Sequence, residues 1–111
     1  MRKYSKHETD ITSEHSIGHG GQTRGTGVQI TWHDGARGQG AERKAQNGAY
    51  VEDVLIAAAD RLQHFEDAGM GCAENRDAIN HIQMALWALD TRARRREAKG
   101  VDGTMGSHES T

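Results

Sequence analysis

Two apolar stripes at helical spacing, joined by a glycine turn and free of proline, constrain this chain more than any other feature. Val51, Leu55, Ala58, Leu62 and Phe65 are separated by four, three, four and three residues, and no glycine falls between residues 49 and 68. That interval is a heptad seam, so a helix is expected over about 50–67. Glu52 and Asp53 fall in its first turn, where the helix dipole favours acids. Ala68-Gly69-Met70-Gly71 stops it and turns the chain. A second helix is expected from near Ala73 to about Ala98, on a seam of Ile79, Ile82, Leu86 and Leu89. This seam extends back to Asn75 and forward to Ala93. Glu74 and Asp77 near its start, and Arg94, Arg95, Arg96 and Lys99 near its end, suit the same dipole, and Gly100 is the expected stop.

Two helices cannot enclose a core. Only 34% of the 111 residues are apolar, against about 45–50% in an ordinary globular domain. Met84, Trp87 and Ala88 form further apolar surface off the main seam. Apolar residues at that spacing usually serve packing, and here they point to a second packing surface against another chain. A symmetric homo-oligomer, associating through the helices, is therefore expected.

Ahead of the helices the chain is polar. Residues 1–26 offer little that can pack and are read as a flexible tail. His15 and His19 stand four apart, but Gly18 and Gly20 oppose the helix that would align them on a metal. In GVQITWH, Val28, Ile30 and Trp32 alternate with Gln29, Thr31 and His33, the period of a half-buried strand. Asp34-Gly35 is a hairpin-turn signal, and the following ARGQGAERK is read as an exposed returning edge or a loop. The expected fold class is mainly α: an antiparallel helical hairpin preceded by a short β-strand or hairpin. Residues 27–104 form the domain, and 105–111 form a second flexible tail.

Several function classes are disfavoured. The net charge is -2, which argues against a general DNA or RNA binder. Cys72 is the single cysteine, so no disulfide can form within one chain, as suits a reducing compartment. Cys72 is read as a small residue under the hairpin turn. No apolar run approaches a membrane span, and the first fifteen residues lack the apolar stretch of a signal peptide. The expected location is the cytosol of whatever cell contains the protein. Gly20 to Gly25 has the spacing of a phosphate-binding loop, but Thr26 stands where lysine is required. No nucleophile, carboxylate pair or metal-ligand spacing survives inspection, so neither enzymatic activity nor a cofactor is expected.

What remains is a binding pattern. Arg92 and Arg96 share a helix face, and Arg92 lies three residues beyond Leu89, beside the seam. A guanidinium there calls for an anion, and phosphate suits it. Asn75 puts an amide on the seam, and Phe65 is the only phenylalanine. Aromatic ring, amide and guanidinium together suit a nucleotide: base stacking, base-edge hydrogen bonds and phosphate pairing. Arg92 lies 17 residues from Asn75, about 25 Å along a helix. One hairpin cannot bring all three together, whereas two hairpins packed antiparallel could, with the pocket at a subunit boundary.

The runs NGAYVEDVLIAAADRLQHFED, CAENRDAI and ALWALDTRARRREAKGVDGT resemble the phage helical-hairpin family of anti-defence sponges, the Thoeris anti-defence and anti-CBASS proteins. The resemblance covers about residues 47–104, and the strand GVQITWHDG is similar to Thoeris-type members. It implies a non-enzymatic protein that holds an immune signalling nucleotide without cleaving it. The implied ligands are glyco-cyclic ADP-ribose and, for some members, cyclic di- and trinucleotides at separate sites, in assemblies that include hexamers. The implied ligand-binding residues are Phe65, stacking on adenine; Asn75, bonding base or ribose; and Arg92, at the phosphate. Arg96 joins the expected ligand-binding residues because its spacing puts it on the Arg92 face. An arginine before the first helix is also implied, with Arg43 and Arg37 both available. Thr104 is available as a hydroxyl donor to phosphate, while Met105 stands where the family often has histidine.

Overall fold

The computed structural model describes residues 10–16, 19–38 and 40–99. The chain divides into two compact units, one ending at Tyr50 and the other beginning at Val51. The fold is mixed α/β, which corrects the expectation of a mainly helical chain.

The first unit carries a three-stranded antiparallel sheet in the order β1 (Thr12–His15), β2 (Gly21–Gly25), β3 (Val28–Trp32). Two of these strands lie where the sequence suggested a tail. Their polarity disguised them: β1 is exposed throughout, and β2 buries only Thr23. Thr23 links the three strands. Its hydroxyl accepts the Trp32 Nε1–H at 2.8 Å and bonds the Ser13 hydroxyl at 2.8 Å. Because Trp32 uses the acceptor side, the Thr23 proton is available to Ser13.

The hairpin turn is also misplaced by the sequence reading. Gly25 faces Val28 in the register, so the tight turn is Thr26-Gly27 and not Asp34-Gly35. Asp10 clasps that turn, accepting the Thr26 N–H at 2.9 Å and the Thr26 hydroxyl. These bonds hold the Asp10 carboxyl below its ordinary value. Val28, Ile30 and Trp32 do share one half-buried face, while Gln29 and Thr31 are exposed.

Gly35 takes a φ of 75° and bends the chain into a loop instead of a returning strand. The loop comes back beside β3, where Ala49 bridges Trp32 in parallel: His33 N–H donates to Ala49 O at 3.0 Å, and Ala49 N–H to Thr31 O at 2.8 Å. Asn47 fastens the bend. Its Oδ1 accepts the Asp34 N–H at 2.7 Å, its Nδ2 donates to Asp34 O at 3.0 Å, and its own N–H donates to His33 Nδ1 at 3.2 Å. Gly48 is required here, because a Cβ would stand 2.6 Å from the Trp32 carbonyl.

The second unit is the expected helical hairpin, α1 (Val51–Asp67) and α2 (Ala73–Ala98). Gly69, at φ 80°, ends α1. The Met70 N–H returns to Phe65 O at 2.9 Å and the Gly69 N–H to Glu66 O at 3.1 Å, the paired bonds of a Schellman stop. Cys72 is exposed, not tucked under the turn: its extended backbone caps α2, and its Sγ accepts the Asn75 N–H at 3.4 Å.

The stripe on α2 runs through Asn75, Ile79, Ile82, Leu86, Leu89 and Ala93, as the seam predicts, with Ala78 and Ala85 beside it. Ile79, at 8% exposure, is the one buried apolar residue among those described. On α1, Leu55, Leu62 and Phe65 are half-buried, but Val51 and Ala58 are exposed, and Val54 and Ala59 take their share of the contact. A straight helix turns at 3.6 residues, so a strict seven-residue repeat drifts off the packing line.

Candidate functional site

The turn end of the hairpin gathers the groups best suited to a ligand. Phe65 comes from the last turn of α1 and Asn75 from the first turn of α2, and both are half-buried. Glu66 fixes this end. Its Oε1 accepts the Cys72 N–H at 3.2 Å, and its Oε2 meets Arg76 at 3.3 Å. The same carboxylate lies over Gly71 so closely that a Cβ there would displace it. Through Cys72, this clasp also fixes the backbone of Asn75.

Phe65 is flanked by a cation and a second ring. The Arg61 guanidinium sits over its face, 4.9 Å from the ring centre, and the His64 ring lies at 5.8 Å. Sequence reasoning missed Arg61 and Glu66. Arg61 was legible in principle, since it stands four residues before Phe65 and shares its helix face.

The remaining expected residues lie apart from this cluster. Arg92 and Arg96 are 17 and 21 residues beyond Asn75 on α2, about 25 and 30 Å along its axis. Arg92, expected beside the buried face, is exposed, and Arg96 is half-buried in its place. The steps from Leu89 to Ala93 to Arg96 are four and three, which carry Arg96 onto the stripe and leave Arg92 outside it. Arg94 pairs with Asp90 at 3.0 Å. Arg37 and Arg43 belong to the first unit. The Arg37 Nε donates to Lys44 O at 2.8 Å, which ties it to the loop, whereas Arg43 is exposed, its N–H on Gly40 O at 3.2 Å. Thr104 and Met105 lie outside the described residues. No group of three metal-ligating side chains occurs among the described residues.

A second surface lies on the far side of α2. Asn80, Gln83, Met84, Trp87 and Ala88 line a shallow apolar depression, with Met84 66% and Trp87 70% exposed. At 3.6 residues per turn these positions fall roughly opposite the stripe that packs on α1.

No family model matches the chain. A curated phage protein does: over 58 residues, 52% of this chain, it is 40% identical to Thoeris anti-defense 1 of Bacillus phage SBSphiJ7. The chain spans about two fifths of that relative's length, 41%. The Thoeris resemblance is thus matched, over about half the chain, by a phage protein that carries that name.

Proposed function

We propose that this protein is a phage anti-defence protein that binds and sequesters cyclic nucleotide immune messengers without cleaving them. Glyco-cyclic ADP-ribose is the first candidate, and cyclic di- and trinucleotides are further candidates. The observation that carries the reading is the 40% identity to Thoeris anti-defense 1. The chemistry of the turn end supports it. A phenylalanine ring offers a stacking plane, Asn75 a base-reading amide, and nearby guanidiniums the charge that a phosphate needs.

In this reading, copies of the chain pack through the outer face of α2, where Met84 and Trp87 stand exposed. A neighbouring copy then supplies Arg92 or Arg96, which a single hairpin holds about 25 Å or more from Asn75. A hexamer is the proposed assembly and the host cytoplasm the proposed location. No helix among the described residues is long and apolar enough to cross a membrane. Duplex DNA and RNA are not the proposed ligands.

The test is isothermal titration of the purified protein with glyco-cyclic ADP-ribose, followed by heating and recovery of the ligand. Binding with intact ligand released supports the proposal. Failure to bind that ligand or any cyclic di- or trinucleotide refutes it, and recovery of a cleaved product refutes sequestration. Arg92→Ala is expected to weaken binding by about 2–4 kcal/mol if its phosphate contact is buried in the assembly.

A second reading rests on the exposure of Met84 and Trp87: an oligomeric helical adaptor whose partner is another protein. Absorbance at 260 nm before and after heating separates the two, since only the nucleotide reading predicts a small molecule released from purified material.

A further inference from the structure

Arg61 is placed to act on whatever approaches Phe65. Its guanidinium lies over the ring face at 4.9 Å from the centre, while the side chain stays on the exposed surface of α1. The arginine at the turn end, Arg76, is engaged otherwise, with the Glu66 carboxylate. Among the described residues, Arg61 meets neither a carboxylate nor a carbonyl. The contact it does make is with an aromatic face, on an exposed side chain.

Resting on the nucleotide-binding reading above, we infer that Arg61 is a ligand-contacting residue that gives up its place over Phe65 to a base and pairs with the phosphate of the same nucleotide. A purine takes the ring face, and the displaced guanidinium turns to the phosphate of the same ligand. The exchange is downhill. An exposed cation–π contact is a weak interaction, and a base stacked on an aromatic ring is a stronger one. The guanidinium then gains a charge-assisted, two-pronged bond to phosphate in return. The move needs only side-chain rotation, because the helix backbone at Arg61 is not part of the contact. It also gives the turn end of one hairpin its own cation, beside Phe65 and Asn75, before any second copy contributes one.

The exchange makes Arg61 a selector as well as a contact. A neutral aromatic compound displaces the guanidinium and gives it no phosphate. An anionic nucleotide supplies both halves of the trade.

The test uses the full chain as wild type, Arg61→Gln and Arg61→Lys, titrated with glyco-cyclic ADP-ribose at several salt concentrations. Circular dichroism confirms equal helix content. The Gln variant is expected to bind at least tenfold more weakly and with a shallower dependence on salt, because one ion pair is gone. The Lys variant is expected to regain the salt dependence but not the full affinity, lacking the planar fork. Wild-type affinity and salt dependence in the Gln variant overturn the inference while leaving the nucleotide reading intact. So does a Gln variant that is weaker with an unchanged salt dependence, since that marks a structural role. A wild-type chain that binds none of the cyclic nucleotides overturns the reading and this inference together.

Discussion

Thr23 is a hydroxyl that three strands share, and its loss is felt in all of them. Thr23→Val keeps the shape but leaves the Trp32 indole N–H and the Ser13 hydroxyl without this partner. A half-buried donor left unmatched costs about 1–3 kcal/mol. Urea unfolding of the sheet, followed through tryptophan emission, is expected to show that loss, and Thr23→Ser to show much less. Asp10 makes a separate prediction. Its carboxyl is held down first by the Thr26 hydroxyl and next by the Thr26 N–H. A folded-state value below the unfolded one stabilises the fold above about pH 3.8, and that contribution fades as pH falls through the lower folded value. Carbon-detected NMR of Asp10 is expected to show a midpoint below the ordinary carboxyl range, and Thr26→Ala to raise it only part of the way, because the backbone N–H of residue 26 still donates.

The hairpin stands or falls on Ile79 and the Glu66 clasp. Ile79 is 8% exposed, and truncation to alanine is expected to cost about 2–4 kcal/mol, the usual range for a large aliphatic side chain. Thermal melting followed at 222 nm measures it, with Ile82→Ala costing less because that position is only half-buried. Glu66→Gln keeps an acceptor for the Cys72 N–H but weakens the bond to Arg76. Because Arg76 is 60% exposed, solvent screening limits that change to about 0.5–1 kcal/mol, and Glu66→Ala costs more. The helices were legible because alternating steps of three and four, dipole-matched charges and a left-handed glycine at position 69 all agree. The first two strands were not, because TSEH and GQTRG have almost no apolar residues to alternate. Their order comes from ladder bonds, the Thr23 hydroxyl and Asp10, which side-chain periodicity does not register. Asp34-Gly35 drew the hairpin turn to itself, yet Thr26-Gly27 makes the turn with no positive φ at either residue. At the site, composition and spacing singled out Phe65 and Asn75, which the fold brings to one end. The Arg61 stack escaped because a periodic pattern locates faces, not the side chains that bridge them.

On the scale of the whole molecule, the described residues leave several large apolar side chains uncovered. Val51, Ile56, Met70, Met84 and Trp87 each leave half or more of their surface exposed. The proposed association gives part of that surface a partner, and stability should then depend on mass action. The melting temperature is expected to rise with protein concentration. Trp87→Lys is expected to flatten that dependence and to reduce the sedimenting mass, while leaving the sheet's ladder of amide shifts unchanged. A concentration-independent melt with a monomer's mass would rule the association out.

The chain's only two indoles fall one to each unit, and their surroundings are opposites. Trp32 is hydrogen-bonded within the sheet, and Trp87 stands in water on the helical hairpin. Single Trp→Phe replacements therefore turn the protein into a pair of spectroscopic gauges. One emits from a sheltered site and tracks the β-layer; the other emits at longer wavelength and shifts to the blue when anything settles on that flank of α2. Unfolding, assembly and ligand capture can thus be timed apart in one cuvette, with no added dye.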